Sequence, residues 1–172
     1  MQIRPNNAEA LHFLGVISFQ HGDHKKAVEL IKRAIIERPK YAEAHNNLGH
    51  PLLALRKFKG AQKHFKIAIK IREDYAEAHY NLGNTHYELN ELTKAIKSYE
   101  NAILINNNYL EAFFNLGNCL RDLNKLTEAV AQYKQAARVN SQYTPAHINL
   151  GGVLQKLGKY NDAILAFKKA II

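Results

Sequence analysis

The feature that most constrains this chain is a period. The thirty-four residues Ala76–Tyr109 reappear in skeleton when the sequence is shifted by thirty-four in either direction. With Ala76 as position one, position three is Ala10, Ala44, Ala78, Ala112 and Ala146. Position seven is Leu14, Leu48, Leu82, Leu116 and Leu150, and position eight is Gly15, Gly49, Gly83, Gly117 and Gly151. Position twenty is Ala27, Ala61, Ala95, Ala129 and Ala163; position twenty-seven is Ala34, Ala68, Ala102, Ala136 and Ala170. Five columns in phase define a repeat protein, whose units bury a core only by stacking on their neighbours.

Inside the unit, apolar residues recur three and four apart over Ala76–Leu89 and again over Leu92–Ile105. That spacing predicts helix, turn, helix. Gly22, Asn90, Asn124 and Gly158 stand at the break, where a left-handed residue closes the first helix. The second copy has Arg56 there, so its turn is expected to be less regular. A glycine inside a helix costs roughly 1 kcal/mol against alanine, so position eight needs a packing reason. A close helix crossing supplies one, with only a methyl at position twenty and a larger residue (Ile31, Phe65, Tyr99, Tyr133, Phe167) beside it at position twenty-four.

These residues resemble the tetratricopeptide repeat: Leu-Gly at seven and eight, Ala at twenty, an aromatic at twenty-four, Ala at twenty-seven and Pro39 at thirty-two. Two positions depart from the family pattern. The usual Trp at position four is Leu11, His45, His79, Phe113 and His147, and Pro at thirty-two survives only in Pro39 and, one period earlier, Pro5. The resemblance implies an all-α, right-handed solenoid of stacked helix-turn-helix units. The copies are 8–41, 42–75, 76–109, 110–143 and 144–172, with 1–7 as the tail of a preceding, partial repeat. The whole chain then forms one solenoid and reads as a piece of a longer array.

Charge and composition narrow the partners. Lys59, Lys63, Lys66 and Lys70 lie four, three and four apart, one stripe on the second helix of copy two. The stripe is a possible basic outer patch for an acidic partner. No Arg-aromatic interleaving accompanies it, so a solvated face is favoured over nucleic acid. No apolar run approaches the ~20 residues of a membrane span, and one cysteine, Cys119, suits a reducing, cytoplasmic compartment and a small buried residue. Pro51, at position ten, is expected to bend its helix. His45, His79 and His147 recur at position four, too far apart in stacked copies to share a metal. No phosphate loop, acid-base pair or nucleophile signature is present, so neither a cofactor nor an enzymatic activity is expected.

The pattern that carries function is on the first helices. Position six reads Phe13, Asn47, Asn81, Asn115 and Asn149; position nine adds Asn84 and Asn118. Tyr80 and Phe114 stand at position five on the same face. Asparagine is a poor interior helix residue, while its amide offers both donor and acceptor to a peptide backbone. In tetratricopeptide arrays the first helices line the concave surface. The resemblance therefore implies a groove holding an extended peptide or protein segment, similar to the asparagine ladder of O-GlcNAc transferase and related bacterial arrays. A carboxylate clamp is not expected, because Glu9, Glu43, Glu77 and Glu111 occupy position two. The alternative is a substrate-recruiting arm of a larger transferase whose catalytic domain is absent from this chain. An apolar face on the last helix, from Asn161 onward, also suggests self-association through open ends.

Overall fold

The computed structural model describes residues 7–171, in which ten helices and no strands occur. The first helices of the copies are α1 (Ala8–Gln20), α3 (Ala42–Ala54), α5 (Ala76–Glu88), α7 (Leu110–Asp122) and α9 (Thr144–Lys156). The second helices are α2 (His24–Glu37), α4 (Phe58–Ile71), α6 (Leu92–Ile105), α8 (Leu126–Val139) and α10 (Tyr160–Lys169). Each first helix opens at position one of its copy and runs thirteen residues. The arrangement is a helical-repeat solenoid fold, built from antiparallel pairs. Its contacts separate into two compact units, one ending at Thr85 and one beginning at His86, a boundary inside α5.

In unit one the core is Ile31, Tyr41, Ala44, Leu48, Leu52, Ala61, Phe65 and Leu82. In unit two Tyr99, Tyr133, Leu116, Leu150 and Val153 are buried among the alanines of positions three, twenty and twenty-seven. The glycine of position eight has a more specific reason than a close helix crossing. A Cβ on Gly49 would have all three nearest atoms in the Phe65 ring, and one on Gly117 would stand 2.7 Å from the Tyr133 ring. Gly151 faces Phe167 at the same 2.7 Å. The position-twenty-four side chain does not fill space beside the crossing; it occupies the room that glycine leaves. Gly49, Gly117 and Gly151 are each the socket for a ring, and Gly15 leaves the same room for the Ile31 side chain.

All five turns after the first helix are the same, which corrects the expectation for copy two. Arg56 takes φ 56°, alongside Asn90 at 56°, Asn124 at 59°, Gly22 at 82° and Gly158 at 72°. Two backbone bonds close every one of them. In copy two these are Arg56 N–H to Leu53 (2.8 Å) and Lys57 N–H to Leu52 (2.8 Å). Copy four repeats them with Asn124 to Arg121 and Lys125 to Leu120, the pairing of a Schellman motif. Repeat packing imposes the turn, and Arg56 tolerates a left-handed conformation that costs an L-residue about 1–2 kcal/mol. Replacing Arg56 by Gly is expected to stabilise the chain by about 0.5–1 kcal/mol, after allowance for the glycine's larger entropy loss. A urea titration checks this; an unchanged or lower midpoint would contradict it. Pro51 lies inside α3 and is fully buried, yet leaves that helix at thirteen residues like its counterparts.

Candidate functional site

The asparagines of the first helices fall into two groups, one in each unit. In unit one they join a buried polar chain. His12 meets the Tyr41 hydroxyl through Nδ1 at 3.0 Å, and Asn47 Nδ2 donates to His12 Nε2 at 2.9 Å. Asn81 Nδ2 donates to Asn46 Oδ1 at 3.0 Å and also approaches His50 Nε2 at 3.4 Å. Asn46 Nδ2 in turn donates to Glu77 Oε1 at 3.1 Å. A position-six amide thus bonds to the position-five side chain of the preceding copy. Asn81 is only 6% exposed, so its amide is spent inside the fold rather than presented. Asn47, Tyr80 and Asn84 are half-buried.

Unit two carries a smaller, more open cluster. The Tyr133 hydroxyl donates to Asn118 Oδ1 at 2.8 Å, and Asn149 Nδ2 donates to the same oxygen at 2.9 Å. Burial pushes the Tyr133 hydroxyl up to about 12, so it remains a protonated donor. Both lone pairs of Asn118 Oδ1 are then engaged, and that amide can offer a ligand only its N–H hydrogens. Asn149 keeps its carbonyl oxygen as an acceptor. Phe114 packs edge-on to Tyr143 at 5.3 Å between ring centres, and Asn115 is half-buried one residue on.

The sequence puts His12 and Asn46 at position five on the same face as Tyr80 and Phe114, but not as partners of the next copy's position-six amides. The signal available was that a polar residue on a helix's core-facing edge must find a hydrogen bond. The glutamates of position two, which argue against a carboxylate clamp, also have partners. In unit one they pair with the arginine of position thirty-one, Glu43 with Arg72 at 2.7 Å and Glu9 with Arg38 at 3.4 Å. Each arginine lies over the tyrosine of position thirty-four, Arg72 over Tyr75 at 3.5 Å. In unit two Asn140 stands at position thirty-one and accepts the Gln142 N–H at 2.9 Å, closing the same corner by an Asx turn.

The position-four histidines have a common task. His45, His79 and His147 donate from Nε2 to the carbonyls of Pro39 (3.1 Å), Glu73 (3.1 Å) and Ser141 (2.9 Å), six residues back. An imidazole N–H here ties the start of the first helix to the carbonyl of the preceding corner in three of the five copies. No group of three or more metal-binding side chains occurs among the described residues. Cys119 is buried, with its thiol pushed up to about 12, so no thiolate forms at neutral pH. Lys59, Lys63, Lys66 and Lys70 are exposed on α4 and line an open depression of about 420 Å³ with Gln62 and Ile67. No helix among the described residues is long and apolar enough to cross a membrane.

Paired helices in thirty-four-residue copies, with a ring seated on a glycine, define a helical-repeat protein. The chain belongs to the tetratricopeptide repeat family. The TPR repeat family model matches residues 52–90, 83–120 and 117–158, and a second tetratricopeptide repeat model matches residues 2–42. No curated protein matches the sequence. Three solved structures share the fold. MamA is 24% identical with a TM-score of 0.85, over 91% of this chain and 92% of that one. PilF of Pseudomonas aeruginosa is 22% identical with a TM-score of 0.86, over 98% and 77%. YrrB, described as a TPR protein with an unusual peptide-binding site, is 21% identical with a TM-score of 0.79, over 98% and 87%.

Proposed function

We propose that this chain is a protein-interaction scaffold whose first helices hold extended peptide segments. The observation that carries the reading is the doubly accepting Oδ1 of Asn118. It orients one amide to donate, beside an Asn149 amide with an unspent acceptor. A donor and an acceptor fixed side by side suit the backbone of an extended chain, whatever its side chains. Phe114 supplies the apolar contact in unit two and Asn115 a further amide. In unit one the corresponding contacts are Asn47, Tyr80 and Asn84, while the Asn81 amide is spent on Asn46 and His50. The fold shared with YrrB, itself described as peptide-binding, agrees with this use of the first helices.

The test is to select binders from a displayed random-peptide library and measure them by fluorescence anisotropy. Asn118→Ala with Asn149→Ala should weaken binding by about 5- to 100-fold, since each lost contact is worth roughly 0.5–1.5 kcal/mol. Circular dichroism should be unchanged. Equal affinity in the double variant would overturn the reading. So would loss of binding only when Lys59, Lys63, Lys66 and Lys70 become Ala, which would place the contact on the outer basic face instead.

The scaffold is also proposed to self-associate through apolar ends. Leu14 is 52% exposed, whereas the same position is at most 8% exposed in Leu48, Leu82, Leu116 and Leu150. Phe13 and Ile17 are exposed beside it on α1, and Ile164 and Leu165 are exposed on α10. Such faces favour association. Light scattering should show mass rising with concentration, and Phe13→Glu with Leu14→Glu should suppress the rise. A constant monomer mass would remove the idea.

A further inference from the structure

One turn beyond Asn118, α7 carries Arg121 and Asp122, which are bound into a cluster that reaches back to α5. Arg121 donates from Nε at 3.0 Å and from Nη2 at 2.9 Å to a single oxygen of Asp122, Oδ1. The other oxygen, Oδ2, accepts the Tyr87 hydroxyl at 2.7 Å. That bond to Asp122, and then burial, push the Tyr87 hydroxyl up to about 12, so it stays a donor. A cation in the last turn of α7 suits the helix dipole. The dipole does not call for a tyrosine from the preceding copy to hold the carboxylate that holds the arginine.

These bonds fix one edge of the guanidinium and leave the other. Arginine presents five N–H groups in a planar fork. Nε and Nη2 each spend one on Asp122, while Nη1 makes no hydrogen bond among the described residues and is not closed to solvent. The Nη1–Nη2 edge therefore offers two parallel N–H groups, the arrangement that takes a carboxylate through both its oxygens. The side chain is only 30% exposed and its partner keeps it in one orientation, unlike the exposed lysines of α4. Its surroundings are the amides already described. Asn118 precedes it by three residues, a spacing that puts Cβ atoms ~5–6 Å apart on one helix face. Arg121 is also close enough to the Tyr133 hydroxyl for its charge to oppose the rise that burial causes there, and that hydroxyl bonds Asn118.

We infer that Arg121 reads an aspartate or glutamate side chain in the extended segment held by Asn118 and Asn149. The inference rests on the peptide-binding reading of the first helices and adds the chemistry of the partner, an acidic segment. Its carboxylate lies on the Nη1–Nη2 edge of Arg121, with Asp122 and Tyr87 as positioning residues behind. A step of ~5–6 Å is about two residues of extended chain. The acidic residue therefore stands next but one to the peptide unit on the two amides, on the same side of the strand. The net charge of +9 draws acidic segments toward this chain.

The test uses the full chain and peptides selected from a random library, each acetylated and amidated so that its only carboxylates are side chains. The selected sequences should share an acidic position. Replacing that Glu by Gln, or Asp by Asn, should weaken binding about tenfold or more by fluorescence anisotropy, the worth of a hydrogen bond to a charged group. Against Arg121→Gln the same two peptides should differ by about twofold at most, because the carboxylate has lost its partner. Arg121→Lys keeps the charge without the fork and should discriminate by about threefold or less; it serves where the glutamine variant does not fold. Selected peptides with no shared acidic position overturn the inference, as does a tenfold preference for the acid that survives in both Arg121 variants. Either result, with affinity still lost in Asn118→Ala with Asn149→Ala, leaves the peptide reading standing. Failure to select any peptide removes both.

Discussion

Gly49→Ala is expected to destabilise the chain by about 1–3 kcal/mol or more, the cost of overpacking a core with no slack. The sign runs against local propensity, which favours Ala over Gly in a helix by roughly 1 kcal/mol. Packing wins because the new methyl has no room: its three nearest atoms all belong to Phe65, which is completely buried. Gly152 provides the control. It sits in α9 beside Gly151, and a Cβ there would meet nothing within 4 Å. Gly152→Ala should therefore stabilise by about 0.5–1 kcal/mol. Urea titrations of both variants decide the matter, and a Gly49→Ala midpoint equal to or above wild type would refute the socket. Coupling Gly49→Ala with Phe65→Leu should recover part of the loss, since residues in contact are not additive.

Unit one should lose stability on acidification before unit two does. Burial lowers His12, His45 and His50 below the ordinary 6.5, and burial with the neighbouring His45, Lys63 and Lys32 takes His64 to about 4. Hydrogen bonding shows why the neutral forms are required. His12 Nε2 accepts from Asn47, and His45 gives its proton to Pro39, so its Nδ1 must accept from His64. A proton added to the His12 Nε2 or the His45 Nδ1 would face another N–H.

The sign follows from linkage. Between pH 6.5 and about 4 the unfolded chain takes up protons that the folded chain refuses, so stability falls as pH falls through that window. Glu91, in unit two, acts lower: Lys94 and then His86 hold its carboxylate at about 2, so its contribution is lost only below the ordinary 4.5. Hydrogen exchange at pH 7.5 and 5, corrected for intrinsic rates, should show protection falling in α1–α4 and holding in α7–α10. His64→Ala, which borrows the residue of copy five, should flatten the dependence by on the order of 1 kcal/mol, after discount for the partial exposure of His64. Equal loss of protection in both units would count against the histidine network.

How much of this was legible in the residues depends on whether the cause is local or shared between copies. The period, the helix pairs and the start of each copy follow from the sequence, because helical spacing and a thirty-four-residue repeat are properties of the chain alone. Burial of Cys119 and the placing of the four lysines on one face of α4 follow in the same way. The sequence also marks which positions are unusual, namely a glycine mid-helix, an arginine in a turn otherwise made by Gly or Asn, and an asparagine where helices avoid it. It does not say what meets them. Tertiary structure decided that the glycine is a socket for a ring sixteen residues later, and that Arg56 must turn left-handed to stay in phase with its neighbours. It decided that Asn81 is spent inside the fold while Asn118 is aimed by Tyr133 and Asn149. It decided, too, that His45 is answered by His64 while Nδ1 of His147, with Ala166 at the equivalent position, has no hydrogen-bond partner. Helical periodicity places a side chain on a face; only the packing of one copy against the next sets the few ångströms over which a hydrogen bond is made or a methyl excluded.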